Sequence, residues 1–91
     1  MALCFTFSPA SMTASQYDEI IRRLDAVGAG NPPGRLHHVS FGTGDKLRVV
    51  DIWESEEAFQ KFGQTLMPIL QGLGVDPGQP GVKPVHNVIK G

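Results

Sequence analysis

Polar and apolar positions along this chain alternate with two different periods, and the switches between them mark out six elements. Ala2 to Phe7 is a short Phe-rich apolar run closed by SPAS, which reads as a first strand. Thr13 then opens a T-A-S-Q capping box, in which the Thr13 hydroxyl and the Gln16 amide satisfy backbone donors that a helix start leaves unpaired. Tyr17, Ile20, Ile21, Leu24 and Val27 recur at helical spacing and form one apolar stripe. Asp18, Glu19, Arg22, Arg23 and Asp25 take the other side, with Asp18–Arg22 and Glu19–Arg23 four residues apart. Gly28 and GNPPG end this helix.

Period two returns in Arg35 to Phe41 and Leu47 to Glu54, two strands joined by the hairpin signal GTGDK. Ser55 caps a second helix, with Glu56 and Glu57 in the first turn where the helix dipole favours them. Phe59, Phe62, Leu66, Ile69 or Leu70, and Leu73 carry its buried stripe. Pro68 falls inside that stripe, removes an N–H, and is expected to kink or break the helix near Gln64–Thr65. VDPGQPG is a loop, and Val82 to Ile89 a last strand. The order β-α-β-β-α-β defines an α+β, ferredoxin-like unit: a four-stranded antiparallel sheet with both helices on one face, as one domain over residues 1–91.

Register decides where the unusual residues go. A two-residue turn anywhere within Thr43–Lys46 puts Leu36, His38 and Ser40 on one face with Leu47, Val49, Asp51 and Trp53. The other face holds Val39, Phe41, Val50 and Ile52, with His37 and Arg48 towards its ends. The wholly apolar set suits the space under the helices, because an unpartnered carboxylate there costs several kcal/mol. The mixed set would then face outward. Its apolar share is more than solvent calls for, so it is expected to pack on a second copy of the chain and to line a cavity in the homodimer.

Composition supports self-association. A chain of 91 residues buries roughly 60–65% of its unfolded surface and gains from an added interface. Its one cysteine forms no internal disulfide, and no Cys or His run has zinc-site spacing, so no metal is expected. The net charge of −1, without a basic stripe, argues against a nucleic-acid partner. No apolar run approaches the ~20 residues of a membrane span. The N-terminal stretch lacks a basic region ahead of its short apolar run, unlike a secretory signal, and the unpaired Cys4 fits a reducing compartment. A cytoplasmic location is the expectation.

The β-α-β-β-α-β order, with VVDIWESEEAFQKF crossing from third strand to second helix, resembles the dimeric α/β-barrel superfamily. Within it, the chain is similar to small antibiotic-biosynthesis-monooxygenase-like proteins, which carry an acidic-x-Trp-x-Ser strand end followed by an Ala-Phe or Ala-Leu helix start. The resemblance implies two sheets facing each other across a twofold axis. The superfamily includes cofactor-free oxygenases, haem-degrading enzymes and proton-transfer enzymes. Many members carry a His on the second helix, and this chain has none there.

Among residues able to carry chemistry, His38 and Asp51 form the best pair, on adjacent strands and one face within hydrogen-bond reach. An Asp that orients one imidazole nitrogen leaves the other as a base; equally, the pair can serve only to fix a dimer register. Trp53 can wall an aromatic substrate or fill an interface, and Leu36, Ser40 and Val49 are its neighbours on that face. His86 joins them if Val85 and Ile89 pack under the helices. Tyr17 starts the first helix's stripe, as core or with its hydroxyl at a cavity mouth. A two-His-one-carboxylate site from His38, Asp51 and His86 is disfavoured, since this fold sets the fourth strand beside the first. Two functions remain. One is a cofactor-free oxygenase or related proton-transfer enzyme for a small aromatic or enolisable compound, with His38 and Asp51 catalytic. The other is a non-catalytic homodimer that binds a small molecule or has a structural role.

Overall fold

The computed structural model describes residues 2–89. The elements are β1 (Leu3–Phe7), α1 (Ala14–Ala26), β2 (Arg35–Phe41), β3 (Arg48–Trp53), α2 (Glu56–Gly72) and β4 (Gly81–Pro84). The strands form one antiparallel sheet in the order β2-β3-β1-β4. Both helices lie on the same face: Tyr17 of α1 reaches His38 of β2, and Phe59 of α2 packs on Phe5 and Phe7 of β1 and on Trp53 of β3.

Local chemistry accounts for the helix ends. The Thr13 hydroxyl accepts from the Gln16 N–H at 3.2 Å, while the Gln16 side chain accepts from the Thr13 N–H at 2.9 Å. The Ser55 hydroxyl accepts from the Ala58 N–H at 3.1 Å and starts α2. Ile20 and Leu24 are the buried members of the α1 stripe, whereas Val27, at the C-cap, is exposed. α2 continues through Pro68 to Gly72, which corrects the expectation of a break. Pro68 and Gln64 are both exposed, so the carbonyl that loses its helical donor is on the solvent side of α2, where water can take the place of the missing bond. β4 is shorter than expected. It ends at Pro84, with one further backbone bond from the Val85 N–H to the Ala2 carbonyl.

The hairpin register is the one set by a turn at Gly44-Asp45: Lys46 N–H bonds the Thr43 carbonyl, and Val39, Ser40 and Phe41 pair with Val50, Val49 and Arg48. His38, Ser40, Val49, Asp51 and Trp53 therefore share a face, and Val39, Phe41, Val50 and Ile52 share the other. The side on which the helices lie is opposite to expectation. Trp53 and Asp51 are buried under the helices, and Val39 and Phe41 lie on the open face, each about half exposed. The cause is β1, which pairs Leu3, Phe5 and Phe7 with Trp53, Asp51 and Val49, and Cys4 and Thr6 with Ile52 and Val50. Phe5 and Phe7 of β1 and Trp53 of β3 thus collect on the Asp51 side, while Phe41 of β2 is left on the open face. Burying a Phe or Trp there is worth more than burying Val and Ile beside Cys and Thr.

Candidate active site

Asp51 tolerates burial because its neighbours complete its hydrogen bonds. Alternation along β3 points Asp51 and Trp53 to the same side, and the Trp53 indole N–H donates to Asp51 Oδ2 at 3.3 Å. Directly across the ladder, His38 Nδ1 lies 2.5 Å from Asp51 Oδ1. α1 supplies the next link, with the Tyr17 hydroxyl 2.6 Å from His38 Nε2 and the two rings nearly parallel. Among the described residues no buried side-chain polar atom lacks a partner.

Burial raises the Tyr17 phenol above its ordinary pKa; the Arg35 cation opposes this, and the charges of Asp51 and Asp18 add to it. Tyr17 is therefore a neutral donor at pH 7. A carboxylate only accepts, so His38 Nδ1 carries the proton donated to Asp51, and Nε2 is placed to accept from the Tyr17 O–H. The result is one directed chain, Tyr17 to His38 to Asp51, with Trp53 holding the second carboxylate oxygen. Such a chain can take a proton at the tyrosine oxygen as the Tyr17 proton moves to His38. The imidazolium so formed faces a carboxylate.

The chain opens on an apolar cleft of about 160 Å³ between the sheet and the two helices, with Ile20, Phe59, Leu66 and Val49 among its walls. That is close to a cavity of roughly 150 Å³ that holds one benzene molecule. Trp53 is fully buried, edge-on to Phe59 at 5.6 Å between ring centroids and against Phe62 at 5.3 Å. It backs this layer and does not form the cleft wall.

Of the residues read from sequence, His38, Asp51 and Val49 line the cleft, whose walls among the described residues all come from a single chain. Ser40 shares their face but stands outside the cleft. Leu36 does not line it: a β-bulge between Arg35 and His37 makes Leu36 the extra residue and leaves it exposed. His86 lies beyond the end of β4 and is exposed, neither in core nor in cleft. Arg35 was not singled out by sequence, because strict alternation places it opposite His38, and the bulge has no signature in the residues themselves. Among the described residues no three His, Cys, Asp or Glu side chains converge as a metal site would require. No helix among them is long and apolar enough to cross a membrane. A wider cleft of about 460 Å³, between Pro32–Pro33 and the start of α2, contains none of the Tyr17–His38–Asp51 chain.

This arrangement of sheet and helices is similar to the fold of solved antibiotic-biosynthesis-monooxygenase-like proteins. Among solved structures, SnoaB, a cofactor-independent oxygenase from Streptomyces nogalater, is similar with a TM-score of 0.67 and 17% identity over 97% of this chain and 96% of its own. A Chloroflexus aurantiacus protein assigned to the antibiotic biosynthesis monooxygenases is similar at a TM-score of 0.70 and 15% identity, over 99% of this chain and 98% of its own. MhuD, solved with two manganese protoporphyrin IX molecules per active site, is similar at a TM-score of 0.51 and 21% identity over the whole of both chains. No protein-family model and no curated protein sequence matches the chain.

Proposed function

We propose that this protein is a cofactor-free oxygenase acting on a small phenolic or enolisable compound. The observation that carries the reading is the directed chain Tyr17–His38–Asp51 ending at a narrow apolar cleft. A cofactor-independent oxygenase of the same fold supports it. In the proposed reaction, the substrate hydroxyl gives its proton to the Tyr17 oxygen while Tyr17 passes its own to His38. The phenolate is electron-rich and poorly solvated in an apolar cleft, and a ring carbon transfers electrons to dioxygen and forms a C–O bond. After protonation of the hydroperoxide, loss of the remaining hydrogen on that carbon breaks the O–O bond and releases water. A phenol and one dioxygen thus give a quinone and one water. A cleft of about 160 Å³ fits one ring and is far too small for a porphyrin.

The second reading, a homodimer that binds a small molecule without turning it over, is favoured by the completeness of the hydrogen bonds around Asp51, which already makes a stable core. Oxygen-electrode assays with monocyclic phenols and hydroquinones separate the two. The oxygenase consumes dioxygen in step with quinone formation, and His38→Ala lowers the rate by about 10²–10⁴-fold. A ligand that binds the wild type without oxygen uptake above buffer decides for the binding protein.

Homodimer formation belongs to the same proposal. The open sheet face exposes Val39 and Phe41 beside half-buried Val50 and Ile52, and a second copy packed there covers it.

A further inference from the structure

Strict alternation along β2 cannot put Arg35 and His38 on one face, since they are three residues apart. The bulge at Leu36 does so: Arg35 pairs with Trp53, and His38 with Asp51, two positions away on the same side of β3. Bulges beside sites commonly re-aim a side chain in this way. Gly34, at φ 88°, leads into the turned residue, and its carbonyl accepts from the Glu54 N–H at 2.8 Å. The re-aimed Arg35 lines the same cleft as Tyr17, His38 and Asp51, and among the described residues it is the only Lys or Arg that does.

The guanidinium is held but not neutralised. Nη2 donates to the Gly30 carbonyl at 2.9 Å, and the cation lies 5.9 Å from the centre of the Phe62 ring. None of the ion pairs among the described residues includes Arg35. A guanidinium has five N–H donors in a planar fork that matches a carboxylate. Here one of them is used on the protein. An arginine serving only to tie down the start of β2 has no need to border an apolar cleft.

Resting on the reading of this cleft as the substrate pocket, we propose that Arg35 is a specificity residue that binds a carboxylate on the substrate. The ligand class is then a one-ring hydroxylated aromatic acid, with its hydroxyl at Tyr17 and its carboxylate on Arg35. Two parallel charge-assisted bonds favour the acid over its amide, which turns an NH₂ group towards the fork.

The test compares the three positional isomers of hydroxybenzoate with the corresponding hydroxybenzamides by ligand-observed NMR titration. Wild type binds at least one acid about tenfold or more tighter than its amide. Arg35→Gln abolishes the preference without weakening amide binding, and Arg35→Lys restores part of it. Gly63 lines the cleft, and a Cβ there meets nothing within 4 Å. Gly63→Leu therefore fills the cleft and removes binding of acid and amide alike. Equal wild-type affinity for acid and amide overturns the role of Arg35 and leaves the pocket standing. A preference that survives Gly63→Leu also overturns it, since the acid then binds elsewhere. If neither ligand binds wild type, the pocket reading falls and Arg35 with it. The wild-type comparison needs no variant, so a poorly folding Arg35→Gln protein does not shield the proposal.

Discussion

A buried carboxylate is destabilising unless each oxygen has a donor, and at Asp51 each does. His38 serves Oδ1 and the Trp53 indole serves Oδ2, so the residue that looks least suited to a core is fully satisfied there. Asp51→Asn tests this. An amide presents one oxygen to two donors, so either the His38 or the Trp53 N–H is left facing an NH₂ group. Urea denaturation is expected to show a loss of about 1–3 kcal/mol. In the double variant with Trp53→Phe the loss is smaller than the sum of the singles, because the indole donor is already gone. Additive losses would mean that the Asp51–Trp53 bond contributes nothing. The pairing of His38 with Asp51 was legible in the sequence, since adjacent strands with period-two alternation bring them together. The link to Tyr17 was not, because how a helix is rotated over a sheet depends on packing.

At the scale of elements, helix starts were the most legible feature, since a capping box is a local reciprocal bond that needs no tertiary partner. The charged side of α1 was legible in type and partly in pairing. Glu19 pairs with Arg23 at 2.8 Å as expected, but it also takes Arg22, at 2.5 Å, in place of the expected Asp18–Arg22 pair. The bonds to Arg22 and then Arg23 lower the Glu19 carboxyl to about 2. A carboxyl with a lowered folded pKa adds stability above its unfolded value, near 4.5, and that stability is lost as pH falls towards 2. Comparing wild type with Glu19→Gln by denaturation at several pH values should therefore show a gap that is full at pH 5 and closes with acidification. A gap independent of pH would mean that Glu19 acts through packing and not charge. β4 ended early, and Val82 and Lys83 are exposed along it. An edge strand with little buried surface is held by its ladder to β1 alone, a property that hydrophobic pattern overstates.

The whole molecule has one covered sheet face and one open one. Leaving Val39 and Phe41 exposed on a chain this small is costly for solubility, and the proposed second copy covers them. Sedimentation at micromolar concentration is expected to give twice the chain mass. Val39→Asp, whose side chain already stands outside the folded chain's core, should give a folded monomer with unchanged far-ultraviolet circular dichroism. A wild type that stays monomeric at high concentration would leave the open face without a second copy. Because the Tyr17–His38–Asp51 cleft is built by one chain, the same variant also shows whether ligand binding needs the dimer.

By itself the sequence determined the six elements, their order, and the division of the central hairpin into two sets of residues, because these follow from periods, caps and turn residues acting within a few positions. It could not determine which set faces the helices. Within the hairpin both sets carry apolar residues, and the cost of burying Asp51 depends on partners that the hairpin alone does not display. The tertiary structure decided it twice over: β1 placed Phe5 and Phe7 on the Asp51 side, and α1 brought Tyr17 to His38. The bulge that turns Arg35 into the cleft is of the same kind. It shifts register by one residue at a strand end, where pairing with β3 and the packing of the guanidinium on Phe62, not local propensity, choose the backbone path.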